Sequence, residues 1–201
     1  MRILFVGINP HPGSYNRGVP FSNNKMFWYL LSRSGMIEES VDKLRDDKKL
    51  RRVYNTKFNQ VYKFGFLNLV NRPTRVVSEL QKGEENNGRK KILKIIKECR
   101  PTITCFVGKV TYEKFSHTKN FRFGWQCDIH TSKSFVMHFP LRGKASVRIR
   151  DLKLISKKKI NQKDFIFRFT RTVRKFGINY VYPAIECTRK LIIYETDMTD
   201  P

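Results

Sequence analysis

The sequence predicts an α/β protein in which helices cover both faces of a short, mostly parallel sheet. Short apolar segments rich in β-branched residues recur along the first two thirds of the chain, and each ends at a glycine or a polar turn. Segments with helical periodicity separate most of them. Because strands joined through helices usually become parallel neighbours, this alternation favours a parallel sheet between two helical layers.

The first strand and the segment after it are the clearest local features. Residues 2–6 contain the apolar segment Ile3-Leu4-Phe5-Val6 and end at Gly7, which predicts a buried strand meeting a turn. Residues 9–24 are rich in Gly, Pro, Asn and Ser, which predicts one long loop. Long loops without secondary structure of their own are usually functional. A helix is predicted over 25–34, with Gly35 at its end.

The remaining patterns continue the alternation of helices and strands. Residues 38–60 predict a helix followed by irregular chain. The later patterns predict strands over 64–70, 102–107, 126–131 and 134–138, helices over 84–99 and 109–115, and a loop over 139–144. Ligands of open parallel sheets bind beyond the carboxyl ends of the strands. The loops after residues 6, 70, 107 and 137 are therefore the candidate site.

The charge of the chain predicts a polyanionic partner. Lys and Arg number 41 against 17 Asp and Glu, a formal net charge of +24. Residues 142–175 alone carry thirteen basic residues and two acidic ones. Nucleic acid is the first candidate, because neutralised phosphates release counterions, and an anionic membrane surface is the second. Charge alone is equally compatible with ribosomal or histone-like binding.

Composition also narrows the compartment and the cofactors. The four cysteines form no CxxC pair, so no metal and no cofactor is expected. The apolar start is too short for a signal peptide, and no segment approaches the length of a membrane span. We therefore expect a soluble monomer without membrane contact, located in the cytoplasm and nucleoid or in the nucleus.

Four motifs occur in an order and spacing that point to one family. They are Gly7-Ile8-Asn9-Pro10, then Pro20-Phe21 with Asn24-Lys25-Met26-Phe27-Trp28, then Asn68-Leu69-Val70-Asn71-Arg72-Pro73-Thr74, and finally Arg100-Pro101 through Phe106-Val107-Gly108-Lys109. Together they resemble the mismatch-specific uracil/thymine-DNA glycosylases. The resemblance covers roughly residues 1–145 and a helix near 161–176.

The resemblance implies a three-layer α/β/α sandwich as a core over 1–145. Residues 146–201 are expected to form a basic, helix-containing region that packs on this core. The alternating pattern of residues 178–197, which the family does not predict, is consistent with a terminal hairpin. The implied activity is hydrolytic removal of uracil or thymine mispaired with guanine in double-stranded DNA, after the base has flipped out. No lysine is placed as an obvious Schiff-base nucleophile, so a monofunctional enzyme is expected.

The same resemblance assigns roles to the residues of the first motifs. Asn9 takes the catalytic position, and Phe21 takes that of the aromatic residue that stacks on the flipped base. Gly7 and Ile8 belong to the expected base-binding set. Asn68, at a strand end on the same crevice, either hydrogen-bonds the edge of the base or is structural. An Asn side chain is no strong base, but its carbonyl oxygen orients water. This suffices if the sugar becomes oxocarbenium-like before water attacks.

The second motif departs from the family, whose loop usually reads Asn-Pro-Ser-Gly. Here Phe139 replaces the Asn, and either Leu141 or Arg142 is expected to fill the gap left by the flipped base. Lys144 or Arg148 would hold the adjacent phosphates. His138 is either structural or a contact of the leaving group. The predicted DNA-binding loop comprises Pro140, Leu141, Arg142, Gly143 and Lys144, with Arg148.

Two other functions remain open at this stage. A glycosylase of the same superfamily that removes hypoxanthine or a modified pyrimidine would carry the same first motif. A basic DNA- or RNA-binding protein without turnover would explain the altered second motif. The intact first motif argues against the latter, because binding alone does not require Asn9.

Overall fold

A computed structural model describes residues 1–157 and contains one five-stranded sheet. The strands are β1 (Ile3–Gly7), β2 (Phe64–Asn68), β3 (Ile103–Val107), β4 (Gly124–Ile129) and β5 (Ser132–Met137). Their order in the sheet is β2-β1-β3-β5-β4. All neighbours are parallel except β4, which pairs antiparallel with β5 at the edge. The predicted α/β class with a mostly parallel sheet is confirmed.

Helices cover both faces of this sheet. Those of the described chain are α1 (Pro12–Arg17), α2 (Met26–Arg33), α3 (Val41–Arg45), α4 (Asp47–Val53) with a π-helical turn (Tyr54–Phe58), the 3₁₀ turn Val77–Glu79, α5 (Glu85–Cys99), α6 (Lys109–Ser116) and α7 (Ala145–Ser156). Along β1 the buried side chains alternate between two apolar clusters, as the period of two of a strand requires. Phe5 contacts the layer with α2, α4 and α7, and Val6 contacts the layer with α5 and α6.

The register of the strands brings the four candidate loops to one edge. Gly7 is paired with Asn68 at the ends of β1 and β2, and Val107 is paired with Met137 at the ends of β3 and β5. The polypeptide leaves all four strands at this carboxyl edge. Segments far apart in sequence therefore meet there, which is where ligands bind in such sheets.

Two sequence predictions about the first helical layer were wrong. The segment 9–24 is not one loop, because it contains α1. His11 caps this helix, its Nδ1 accepting a hydrogen bond from the Gly13 N–H at 3.1 Å, and Gly18 ends it with a φ of 62°. The helix has six residues and one buried side chain, so it lacks the apolar periodicity that reveals longer helices. Similarly, the chain expected to be irregular before residue 60 is mostly α4 and its π-helical turn.

Helix α7 brings part of the predicted basic C-terminal region into the core. Its Leu152 and Ile155 are fully buried in the cluster that contains Phe5. The predicted helix over 161–176 and hairpin over 178–197 lie outside the described residues. Within residues 1–157, no helix is long and apolar enough to cross a membrane.

Candidate active site at the carboxyl edge of the sheet

The Asn9 amide lies just beyond β1 and is held in one orientation. Its Nδ2 donates to Thr74 Oγ1 at 2.8 Å and to the Pro10 carbonyl at 3.1 Å. The Thr74 hydroxyl donates its single proton to the Val76 carbonyl at 2.9 Å, so toward Asn9 it acts only as an acceptor. Thr74 Oγ1 and the Pro10 carbonyl therefore both require a donor from Asn9. A flipped amide would place Oδ1 against these two acceptors, so the observed orientation is favoured. Oδ1 is left without a hydrogen-bond partner from residues 1–157 and is available to water.

Thr74 joins the first and third sequence motifs at this point. Its side chain is buried, and its backbone N–H donates to the Pro10 carbonyl at 3.1 Å. In the sequence Thr74 is the last residue of the third motif, and no role was predicted for it. The available signal was its position directly after Pro73, in a segment that follows a strand of the same sheet edge.

Gly7 and Asn68 lie side by side at the ends of β1 and β2. A Cβ atom on Gly7 would lie 2.7 Å from Asn68 Oδ1 and 2.9 Å from the Phe66 ring, so no larger residue fits there without displacement. The half-buried Asn68 amide makes no side-chain hydrogen bond to any residue of the described chain. It retains both its donors and its acceptor for a ligand. Ile8 differs, because its side chain is buried against α5 and only its backbone remains for a base.

Phe21 adopts a backbone conformation that bulky residues rarely take. Its φ is 56°, in the left-handed region. The half-buried ring packs against Phe27, with centroids 4.7 Å apart, and edge-on against Phe66 at 5.4 Å. Strain of this kind persists where the surrounding structure enforces it, often at ligand-binding positions. The core thus holds Phe21 beside the strand ends that carry Gly7 and Asn68.

His138 follows β5 and is fixed by a buried carboxylate. Asp151 Oδ2 accepts hydrogen bonds from the His138 backbone N–H at 2.8 Å and from ring Nδ1 at 2.7 Å. An ionised carboxylate only accepts, so the proton of the neutral ring lies on Nδ1 and the lone pair on Nε2. Phe123 stacks on the imidazole, with centroids 3.7 Å apart. Neither Asp151 nor Phe123 was singled out from the sequence.

The loop after His138 divides into a buried base and an exposed tip. Pro140 is buried, whereas Leu141 is 48% exposed and Arg142, Gly143 and Lys144 are also exposed. Phe139, where the family has Asn, packs on Gly108. A Cβ atom on Gly108 would lie 3.3 Å from the Phe139 ring. The apolar replacement therefore anchors the loop to β3.

Arg148 is placed differently from the sequence expectation that it contacts phosphate. It is 5% exposed, and its guanidinium donates to the carbonyls of Pro140, Arg142 and Gly143 at 2.6–2.7 Å. Turned inward, it satisfies three carbonyls that the loop cannot pair by itself. Arg148 thus shapes the loop, and Arg142 and Lys144 are the basic side chains that face solvent.

The chain matches a known family over most of its length. A family model described as the uracil DNA glycosylase superfamily matches residues 1–173. The chain belongs to this superfamily. Its members are DNA glycosylases, hydrolases that act on DNA, which supports DNA as the partner of this protein.

Two cavities of this glycosylase-superfamily member lie away from Asn9. One of about 390 Å³ lies between the loop after α1 and helix α4, and the other, of about 420 Å³, lies along the solvent-facing side of α7. Neither is lined by Asn9, Phe21 or Asn68. The predicted base-binding position is thus not part of either cavity.

Proposed function

We propose that this protein hydrolyses the N-glycosidic bond of uracil or thymine mispaired with guanine in double-stranded DNA. The observation that carries the proposal is the orientation of Asn9, whose amide nitrogen is bound on two sides while Oδ1 remains open. The motifs shared with the mismatch-specific glycosylases support this substrate class within the superfamily.

In the proposed reaction the damaged base rotates out of the duplex and lies against Phe21. The bond between C1′ and the base nitrogen breaks, and its electron pair leaves with the base. A water oriented by Asn9 Oδ1 then bonds to C1′ and releases its proton to solvent. Little base strength is needed when the sugar is already oxocarbenium-like, so positioning accounts for most of the contribution of Asn9. The free amide of Asn68 is suited to bind the edge of the departing base.

The exposed tip of the loop after β5 is suited to enter the duplex. Leu141 is an apolar side chain presented to solvent, as expected of a residue that fills the space of a flipped base. The exposed Arg142 and Lys144 follow it in the loop and supply charge for the adjacent phosphates.

The deciding experiment is a panel of labelled duplexes. They carry G·U, G·T, A·U, A·T or hypoxanthine·T at one position, and abasic sites are detected by alkaline strand cleavage. We expect cleavage of the G·U and G·T duplexes and slower cleavage of the A·U and A·T duplexes. Preference for hypoxanthine would favour the other-base alternative, and binding without any cleavage would favour a non-enzymatic protein.

Substitution of Thr74 tests the orientation of the Asn9 amide. Thr74→Val keeps the shape but removes the shorter of the two hydrogen bonds that Nδ2 donates, so only the Pro10 carbonyl still orients the amide and Oδ1 is held less firmly toward the water. We expect the single-turnover rate of base release to fall by about tenfold or more with little change in DNA affinity. Thr74→Ser retains the hydroxyl and should restore most of the rate. Equal rates for the Val and Ser variants would contradict the orienting role.

A double-mutant cycle tests whether His138 assists the leaving base through Asp151. In the proposed contact, His138 in its protonated form donates from Nε2 to a carbonyl oxygen of the departing base while Asp151 accepts from Nδ1. We therefore expect His138→Ala to lower the rate of base release by about 10²-fold. Asp151→Asn should cost less by itself and nothing further in the His138→Ala background. Additive losses would mean that the two residues act independently, and an unchanged rate in His138→Ala would make the pair structural.

A further inference from the structure

The 390 Å³ cavity beside α4 has the composition of an anion site. Its polar lining includes Arg17, Ser22, Asp47, Lys48, Arg51 and Arg52. Four of these residues are cationic and one is anionic. Val19 and Leu50 are buried and form an apolar floor beneath the charged rim.

The single carboxylate of the cavity is already neutralised. Asp47 lies 2.6 Å from Lys25 Nζ and 3.4 Å from Arg17 Nε. The hydrogen bond from Lys25 holds the pKa of Asp47 below its ordinary value, so the carboxylate stays charged and keeps these two cations occupied. Arg51 and Arg52 form no ion pair with an acidic side chain within residues 1–157, and their charge is available to an anion from outside.

Ser22 provides an independent sign of a missing ligand. The residue lines the cavity and is only 3% exposed, yet its hydroxyl has no hydrogen-bond partner among the described residues. Buried polar groups are nearly always paired, so an orphan hydroxyl next to unpaired cations suggests a bound acceptor. Phosphate oxygens accept hydrogen bonds and carry the complementary charge.

The position of Ser22 identifies the source of that phosphate. Ser22 directly follows Phe21, the residue assigned to stack on the flipped base, so one loop borders both the base position and the cavity. We propose that the cavity binds a backbone phosphate of the DNA strand that carries the flipped nucleotide. The Ser22 hydroxyl donates to a phosphate oxygen, and Arg51 and Arg52 supply the charge. This inference rests on the proposed function for its substrate.

The charge contribution is tested by the salt dependence of binding. The ligand is a G·U duplex with a 2′-fluoro group on the deoxyuridine, which resists hydrolysis because fluorine disfavours a cationic sugar. The double variant Arg51→Gln, Arg52→Gln is compared with Lys90→Gln, Lys97→Gln, which removes the same charge from the exposed face of α5. We expect the slope of log K against log salt to decrease by about 1 to 2 in the cavity variant and to stay unchanged in the control. Equal slopes in both variants and wild type would overturn the proposal.

Ser22→Ala separates a ligand-binding hydroxyl from one that is merely buried. If the hydroxyl binds phosphate, the variant should bind the duplex about three- to tenfold more weakly without a lower melting temperature. Unchanged affinity would contradict the proposal, because removing an unsatisfied group costs nothing in binding. Inorganic phosphate is the second probe. If phosphate alone binds at the cavity while the salt dependence of DNA binding is the same in the cavity variant and in wild type, the site binds free anions and the DNA assignment is overturned.

Failure of this inference is distinguishable from failure of the proposed function. Abasic-site formation by the wild-type protein is measured on the unmodified G·U duplex in parallel. Absence of abasic sites rejects the proposed function. Normal cleavage with unchanged salt slope and Ser22→Ala affinity rejects only the cavity as a phosphate site.

Discussion

Asn9→Ala is expected to lower the single-turnover rate of base release by at least about 10²-fold. The substitution removes the oxygen that orients water while leaving the residues around the base in place. Affinity for the G·U duplex should change by less than about threefold, because Asn9 acts mainly after the base has flipped. Rates come from alkaline cleavage under enzyme excess, and affinities come from the 2′-fluoro duplex.

Two further variants sharpen this test. Asn9→Asp retains an oxygen for water but places a carboxylate against the Pro10 carbonyl, which only accepts hydrogen bonds. We therefore expect Asn9→Asp to lose most of the rate as well. Asn87→Ala, at an exposed position of α5, is the matched control and should behave as wild type. Turnover by Asn9→Ala close to the wild-type rate would reject the assigned mechanism.

Gly88→Ala is expected to have the largest effect on stability. A Cβ atom on Gly88 would lie 1.5 Å from the carbonyl oxygen of Leu69 and 2.5 Å from its carbonyl carbon. Both are backbone atoms, so no side-chain rotation relieves the collision and α5 must move away from the end of β2. We expect a loss of about 3 kcal/mol or more, which lowers the melting temperature by roughly 6–12 °C.

The displacement should also reach the active site. Leu69 follows Asn68, so movement of this segment shifts the amide that lies over Gly7. We expect Gly88→Ala, where it still folds, to release bases more slowly than wild type at 20 °C below its own melting temperature. Asn87→Ala on the adjacent, exposed position controls for the change in helix propensity. A melting temperature within about 2 °C of wild type would show that α5 accommodates the methyl group.

The departure from the family in the second motif has a structural explanation. The position that holds Asn in the family is Phe139, and its ring packs on Gly108 at the end of β3. Arg148 of α7 donates hydrogen bonds to three carbonyls of the same loop. The loop is thus supported by an aromatic ring and a buried guanidinium, and its tip still presents Leu141 to solvent.

By itself, the sequence determined the class of the fold, the positions of the five strands within residues 1–157 to within a few residues, and the sheet edge at which the candidate site residues meet. These features depend on local patterns, because apolar alternation and helical periodicity are visible in short windows. The ordered motifs likewise led to the superfamily from residues that stand next to one another in the chain.

Only the tertiary structure decided which side chains act on one another. Thr74 lies 65 residues from Asn9, and Asp151 lies 13 residues from His138, yet each pair is joined by a hydrogen bond of 2.7–2.8 Å. The buried orientation of Arg148 likewise depends on its hydrogen bonds to three loop carbonyls, which form only when the loop and α7 lie together in the folded chain. Such contacts are set by strand order and register, which bring distant segments together, so no local pattern predicts them.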